Sequence, residues 1–203
     1  DEARGRLASF YVAPVKRLKI TLGYILAAWI IGVGMCMLTL LIGEGYMLIQ
    51  GHELLPLASW GKVLWMIALN ALVYASFGYL LALCVRSESG WSGLLTVIGT
   101  LVGFVGAIYL PMSQLPERVG NVLKCLPVLH GAAMVRVVLT EAAIEETFAG
   151  LPEAAGELFK EQMGVTVLVD GNEVTLAYQV LFLLAYGIIA IIMAVMISQR
   201  RKV

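Results

Sequence analysis

The residues that could carry out chemistry are few and lie far apart in this chain. The two histidines, His52 and His130, have no cysteine or carboxylate partner at a spacing typical of metal ligands. Gly61-Lys62 is followed by a valine, and the phosphate-binding pattern G-x-x-x-x-G-K-[ST] is absent. The signatures of serine hydrolases and zinc proteases are also absent. We therefore expect no enzyme active site, metal site or cofactor in this chain.

The composition is that of a membrane protein. Of the 203 residues, 60% are hydrophobic and 14% are charged, whereas roughly a quarter of the residues in a soluble domain are charged. The formal net charge is zero, so the total charge gives no indication of nucleic-acid binding. Cys36, Cys84 and Cys125 form no C-x-x-C pair and are expected to pack as small apolar side chains.

Uncharged stretches long enough to cross the membrane set the framework. A helix needs about 20 apolar residues to span about 30 Å of hydrocarbon. The stretches that meet this requirement are predicted to be transmembrane helices over 20–43, 63–85, 93–110 and 176–197.

The distribution of charge predicts how these helices are oriented. Basic residues are concentrated in the short polar segments 1–19, 86–92 and 198–203, whereas 141–173 is rich in acidic residues. The positive-inside rule therefore places both chain ends in the cytoplasm and 141–173 outside. Because Asp170-Gly171 is a typical hairpin turn between two short strands, we expect 141–173 to form a small folded cap.

The segment 111–140 could be mistaken for a fifth span. It contains Lys124, Pro127 and Arg136, and a full crossing there would place the basic C-terminal residues outside. We therefore expect this segment to enter the membrane and return as a re-entrant helix pair. A pair of helices lying at the outer interface is the alternative.

The first helix of this pair is predicted to be short and amphipathic. Pro116 suits its start and Pro127 its end. A second short helix is predicted from about Leu129 to Leu139, carrying Arg136 near the headgroups. The apolar face of the first helix is predicted from helical spacing to consist of Val119, Val122, Leu123 and Leu126.

Small and aromatic residues suggest how the spans pack. Gly99, Gly103 and Gly106 form a stripe that allows close helix approach, either within the subunit or against a second subunit. The aromatic residues Trp29, Trp60, Trp65, Trp91 and Tyr109 lie mostly near the predicted span ends and are interpreted as an aromatic belt.

The N-terminal segment predicts a short helix at the membrane surface. Apolar residues recur there at helical spacing, and Pro14 ends the pattern before a basic cluster. An interfacial helix held by anionic lipid and a helix that docks into another protein both fit this pattern. The apolar face of this helix consists of Ala3, Leu7, Phe10 and Tyr11.

Two motifs in this chain resemble the permease subunits of type 2 ABC exporters. The cytoplasmic motif E-x-x-x-G-x-L…P-v…G-k-i-l is similar to the run Glu2, Arg6, Leu7, Pro14, Val15, Gly23 and Ile25-Leu26, with Tyr24 in place of a common lysine and Gly5 one place early. The motif G…P-x-s-x-l-P…l…P, which follows the fifth span in that family, is similar to the run Gly106, Pro111, Ser113, Leu115, Pro116, Leu123 and Pro127.

The resemblance implies that the chain corresponds to the last four of six spans. It further implies that the N-terminal helix couples to a separate ATPase, and that the segment after the third predicted span closes the outer end of the transport pathway. The implied ATPase-coupling residues are Glu2, Arg6, Leu7, Phe10, Tyr11 and Pro14. The implied gate residues are Pro111, Ser113, Pro116, Leu123 and Pro127.

The expected fold is therefore an all-α integral membrane protein. It has four transmembrane helices, a cytoplasmic coupling helix, a re-entrant or interfacial helix pair and a small extracytoplasmic cap. The implied partners are an ABC ATPase subunit, which would hold ATP and magnesium, a second permease copy or homologue, and the lipid of a prokaryotic plasma membrane, but no nucleic acid.

Two other functions also fit these observations. A non-transporting anchor or assembly subunit would bind a partner through its extracytoplasmic loop. An ion-coupled carrier is less consistent with the spans, because they lack the ionisable groups that such carriers use near the midplane.

Overall fold

The computed structural model describes residues 17–85, 87–106, 108–109, 111, 114–169 and 172–200. These residues form a helical bundle with one two-stranded antiparallel hairpin, in which Leu168 pairs with Glu173 and Val169 pairs with Asn172. The elements, in chain order, are α1 (Arg17–Ile49), α2 (Leu57–Cys84), α3 (Glu88–Val105), α4 (Glu117–Lys124), α5 (Pro127–Thr147), α6 (Glu153–Gln162), β1 (Leu168–Val169), β2 (Asn172–Glu173) and α7 (Leu176–Arg200).

Long apolar helices dominate the described residues. Five of them, α1, α2, α3, α5 and α7, are long and apolar enough to cross a membrane. Their outward side chains are largely hydrophobic, as expected where lipid replaces water around a protein. The prediction of an all-α integral membrane protein is therefore confirmed.

Helix α2 lies at the centre of the bundle and packs against α1, α5 and α7. Val63 and Met66 on α2, Met134 on α5 and Leu183 on α7 belong to one buried cluster. Close approach depends on small residues: a Cβ atom added at Gly187 of α7 would lie 3.3 Å from Val73 Cγ2 on α2. Small residues in membrane helices let backbones approach and gain dispersion energy, since lipid provides no hydrophobic driving force.

Helix α1 runs antiparallel to α2 and is bonded to it within the apolar region. Trp29 Nε1 donates a hydrogen bond to the Ala68 carbonyl over 2.8 Å. Trp29 lies about 18 Å from the start of α1, at a rise of about 1.5 Å per residue. The aromatic-belt interpretation is therefore wrong for Trp29, because its indole nitrogen binds the neighbouring helix rather than the membrane surface.

The two ends of the bundle differ in charge. Arg17 Nη1 at the start of α1 donates to the Ser198 carbonyl near the end of α7 over 2.7 Å, so these termini share one end, called the basic end below. Thr21 of α1 and Tyr79 of α2 lie 3.5 Å apart between their hydroxyl oxygens at the same end. The opposite end is called the cap end, because it holds residues 148–175.

Several helices extend beyond the predicted spans. Helix α1 continues through Ile49, and the Glu44 carboxylate within it accepts a hydrogen bond from the Leu55 backbone over 2.9 Å. A charge at the last turns of a span can face the polar interface, so it does not end the helix.

The largest difference concerns α5, which was predicted to stop at about Leu139. It continues to Thr147, so the first part of the predicted loop 141–173 is helical and the cap begins at Phe148. Ile144 is buried while Glu141 and Glu145 are exposed, which makes the last turns amphipathic. The acidic residues that suggested a loop therefore form the outer face of a helix.

The predicted short helix and hairpin are both present. Helix α4 spans eight residues between Pro116 and Cys125. Its buried side differs from the predicted face, because Leu123 is 7% exposed whereas Val122 is 61% exposed. The helix packs through Leu123, which belongs to a buried cluster with α5 and the segment before the hairpin.

A substitution of Gly131 tests the contact between α2 and α5. A Cβ atom there would collide with Asn70 Oδ1 and would lie 2.6 Å from Tyr74 Oη. Alanine gains about 1 kcal/mol in helix propensity over glycine, but overpacking costs about 1–3 kcal/mol. We expect Gly131→Ala to lower the thermal unfolding temperature in detergent. Gly78→Ala, which has open space around its Cβ position, should leave it unchanged or raise it. Equal unfolding temperatures in the two variants would contradict this packing.

Candidate functional site

The turn between α4 and α5 lies beside the middle of two long helices. The Pro127 carbonyl accepts a hydrogen bond from Tyr74 on α2, and the Cys125 carbonyl accepts one from Tyr186 on α7. At about 1.5 Å per residue, Tyr74 is about 26 Å from the start of α2 and about 15 Å from its end. Tyr186 is about 15 Å from the start of α7 and about 21 Å from its end. Helix α5 therefore begins midway along the bundle and runs towards the cap end.

Side chains donate to the backbone carbonyls of this turn. Tyr186 Oη lies 2.7 Å from the Cys125 oxygen, and Tyr74 Oη lies 3.2 Å from the Pro127 oxygen. His130 Nε2 lies 2.7 Å from the Lys124 oxygen. Because a carbonyl can only accept, His130 carries its proton on Nε2 in this contact. The carbonyls at a helix C-terminus lack intrahelical donors, and His130 and Tyr186 provide them for Lys124 and Cys125 at the end of α4. Tyr74 bonds instead to the first residue of α5 and ties that helix to α2.

Asn70 forms a fourth polar contact with α5. Its amide nitrogen donates to the Met66 carbonyl over 2.9 Å on its own helix and lies 3.4 Å from the Gly131 carbonyl. Asn70 Oδ1 and His130 Nδ1 are both buried and have no hydrogen-bond partner among the described residues. The two atoms are therefore the polar groups of this interface that no described side chain or backbone group satisfies.

Arg136 connects three elements at the cap end. Its Nη2 atom donates to the Gly106 carbonyl over 2.6 Å, and its Nη1 atom donates to the Gly164 carbonyl over 3.3 Å. Gly106 caps the C-terminus of α3, and Gly164 follows the C-terminus of α6. Helix C-termini carry partial negative charge, so a guanidinium shared by two of them is favourable. Arg136 thus joins α5 to the end of α3 and to the cap.

The cap packs onto the α4–α5 pair. Leu123 of α4, Leu129 and Ala133 of α5, and Val167 of the cap form a second buried cluster. Val105 at the end of α3 packs against the same cluster. Helices α4 and α5 are therefore covered at the cap end by the hairpin segment.

Three of the predicted gate residues lie along this pair. Pro116 precedes α4, Pro127 is the first residue of α5, and Leu123 is in the cluster beneath the cap. Pro111 lies in the connection from α3. Ser113 lies outside the described residues, as do all six predicted coupling residues, Glu2, Arg6, Leu7, Phe10, Tyr11 and Pro14.

The predicted glycine stripe is only partly occupied by neighbours. The ring of Tyr109 occupies the space where Gly103 would carry a Cβ atom, and it stacks edge-on against Phe104 at 5.2 Å between centroids. Gly106 caps α3. Gly99 has open space at its Cβ position. The contact of this stripe with a second subunit stays a prediction.

Three residues that build this site did not stand out in the sequence: Asn70, Tyr74 and Tyr186. His130 was noted as an isolated histidine, but its burial and its bond to the Lys124 carbonyl were not predicted. A polar residue within an apolar run was the available signal for Asn70. Tyrosines are common in membrane helices near interfaces, so no pattern separated Tyr74 and Tyr186 from belt residues. In the described ranges no cluster of three His, Cys, Asp or Glu residues could hold a metal ion.

The bundle has an apolar surface and long apolar helices, which define it as an integral membrane protein. The chain matches the ABC-2 family transporter protein family over residues 5–197 and belongs to that family. No curated protein and no solved structure matches the chain significantly. The resemblance inferred from the two motifs is therefore confirmed at the level of the family.

Removal of the Arg136 guanidinium should loosen the cap. We expect Arg136→Met to lower the free energy of unfolding by about 1.5–3 kcal/mol, the usual range for a hydrogen bond to a charged group. The amides of Val165 and Thr166 directly follow Gly164 and donate to the Lys160 carbonyl. Their hydrogen exchange should therefore become faster when Arg136 no longer holds Gly164. Arg136→Lys should have a free energy of unfolding and exchange rates between those of the wild type and Arg136→Met. A lysine ammonium keeps the charge but lacks the planar guanidinium that can donate to two carbonyls at once.

The matched control is Arg118→Met on α4, where the side chain is exposed. Exchange at residues 163–167 should be unchanged in that variant. Equal exchange in Arg136→Met and Arg118→Met would show that Arg136 does not hold the cap.

Proposed function

We propose that this chain is the membrane-spanning subunit of an ATP-driven exporter, and that it forms the substrate pathway and couples to a separate ATPase. The observation that carries the proposal is the helix pair α4–α5, which is folded back to the middle of a bundle of family-matched transmembrane helices. ATP and magnesium would bind the ATPase partner. The subunit would lie in a prokaryotic plasma membrane with both ends of this chain in the cytoplasm, as the basic segments favour.

Helix α3 is the part of the bundle that best fits a pathway wall. Its main packing contact is with α5, and Leu95, Val97, Leu101 and Phe104 are exposed along it. An apolar helix left at the edge of a bundle needs lipid or another subunit to cover it. In the proposed assembly, a second permease copy or homologue faces α3, and the pathway lies between them.

The pair α4–α5 is proposed to close the outer end of that pathway as a re-entrant segment. In hydrocarbon, a chain can turn only where its backbone groups are satisfied by protein or by water. The donors from His130, Tyr74 and Tyr186 meet that requirement at the turn. Helix α5 is long enough to span, but its start beside Tyr74 supports a return to the cap end.

Thiol labelling tests this arrangement. In sealed vesicles of known orientation, we expect a membrane-impermeant maleimide to reach Cys125 from the outer side, because the re-entrant pair opens to that side. Cys84 at the basic end should react only from the cytoplasmic side. Each exposed cysteine is examined in a background in which the other two are alanine. Labelling of Cys125 from the cytoplasmic side alone would overturn the re-entrant assignment.

The N-terminal helix is proposed to transmit ATP-driven closure of the ATPase to the bundle. We expect Arg6→Glu and Phe10→Ala each to reduce transport per ATP hydrolysed by about tenfold or more, as the loss of one interface anchor does. Membrane insertion should be retained. The measurement is transport and ATP hydrolysis in the same vesicles, with Ser9→Ala, which is off the apolar face, as the control.

Full coupling in both variants would count against the assignment. Co-purification separates it from the anchor hypothesis: a stoichiometric ATPase supports the exporter, whereas extracytoplasmic partners alone support an anchor or assembly subunit.

A further inference from the structure

A cavity of about 260 Å³ lies between α4 and the cap. Helix α4 contributes one wall, and α6 with the segment that follows it contributes the other. Leu129 at the start of α5 also lines it. The apolar part of the lining includes Leu115, Leu129, Leu158 and Val167, and the uncharged polar part includes Asn121, Gln162 and Thr166.

Among the described residues, two charged side chains line the cavity, with opposite signs and on different walls. Lys124 is half-buried in the last turn of α4, and Glu161 is exposed near the end of α6. Neither side chain makes an ion pair or hydrogen bond within the described part of the chain. Nearby charges behave differently, because Lys160 Nζ donates to Glu157 over 2.9 Å on the same helix, which raises the pKa of Lys160.

The charges limit the kind of ligand that fits. An anion without a cationic group would be attracted by Lys124 and repelled by Glu161. A cation without an anionic group would be attracted by Glu161 and repelled by Lys124. A neutral apolar ligand would remove water from the half-buried Lys124 without replacing it and would leave both charges without a partner. A molecule that carries an ammonium and an anionic group can satisfy both walls, and the apolar lining can hold a short apolar segment beside them.

We propose that this cavity binds a zwitterion of the phosphoethanolamine class, with its phosphate towards Lys124 and its ammonium towards Glu161. Such a ligand bridges α4 to the cap. Arg136 fixes the far wall, since it bonds to Gly164, which lines the cavity. The site goes beyond the proposed transport function, because binding requires neither ATP nor an ATPase partner.

Phosphorus NMR of the detergent-solubilised subunit tests the site with free phosphoethanolamine. We expect saturable line broadening in the wild type, and about tenfold or weaker affinity in Lys124→Gln and in Glu161→Gln, because each loses a charge-assisted contact. Arg118→Gln on α4 and Glu157→Gln on α6 are matched controls, since neither residue lines the cavity. The unfolding temperature of each variant is measured alongside, so that lost binding is distinguished from lost fold.

A second measurement identifies the source of the zwitterion. Native mass spectrometry of the subunit from nanodiscs should show retained phosphatidylethanolamine if the ligand is a lipid headgroup. Phosphatidylcholine lacks an N–H donor and phosphatidylglycerol lacks a cation, so both should be retained less. Binding of free phosphoethanolamine without lipid selectivity points to a soluble ligand.

Either result supports the site if it depends on both Lys124 and Glu161. The proposal is overturned if neither probe binds, or if binding is the same in the two lining variants as in their controls. Because no step needs transport, failure here leaves the coupling test of the exporter unaffected.

Discussion

A chain that turns between long membrane helices must find donors for the carbonyl groups that the turn exposes. An unsatisfied backbone group costs several kcal/mol in hydrocarbon, so this constraint is stronger than any helix preference. Here the donors come from α7 through Tyr186, from α2 through Tyr74, and from α5 itself through His130. These three contacts, together with the buried clusters on either side of α5, hold the α4–α5 pair on which the cap packs.

The same contacts explain why α2 lies at the centre. It must approach α5 closely enough for Tyr74 and Asn70 to reach backbone carbonyls, and Gly131 provides the space. The fit is incomplete, because Asn70 Oδ1 and His130 Nδ1 are left without partners among the described residues.

The sequence predicted what depends on composition and local pattern. The apolar stretches identified α1, α2, α3 and α7, Pro116 and Pro127 bounded α4, and Asp170-Gly171 indicated the hairpin. It did not predict the length of α5, since Glu141 and Glu145 were interpreted as loop residues rather than as one face of a helix. Nor did periodicity identify which side of α4 is buried, because an eight-residue helix has two possible apolar edges and its neighbours decide between them. The hydrogen bond from Trp29 to the Ala68 carbonyl could not be predicted either, because it depends on how α1 and α2 pack and no local sequence pattern encodes that.

Arg136 shows how one charge can organise the cap end of this bundle. Helix α3 has few other contacts, and its C-terminal carbonyl at Gly106 is held by the same guanidinium that holds the Gly164 turn. A charged side chain in a membrane protein is tolerated where its hydrogen-bond donors find acceptors. The carbonyls at the ends of α3 and α6 accept from the half-buried Arg136, and its positive charge offsets the partial negative charge of these helix ends. A displacement of the α3 end therefore has to break this bond or move the cap with it. That link adds to the direct packing of α3 on α5 and gives the loosely packed helix α3 a second physical route to the α4–α5 pair, through the cap.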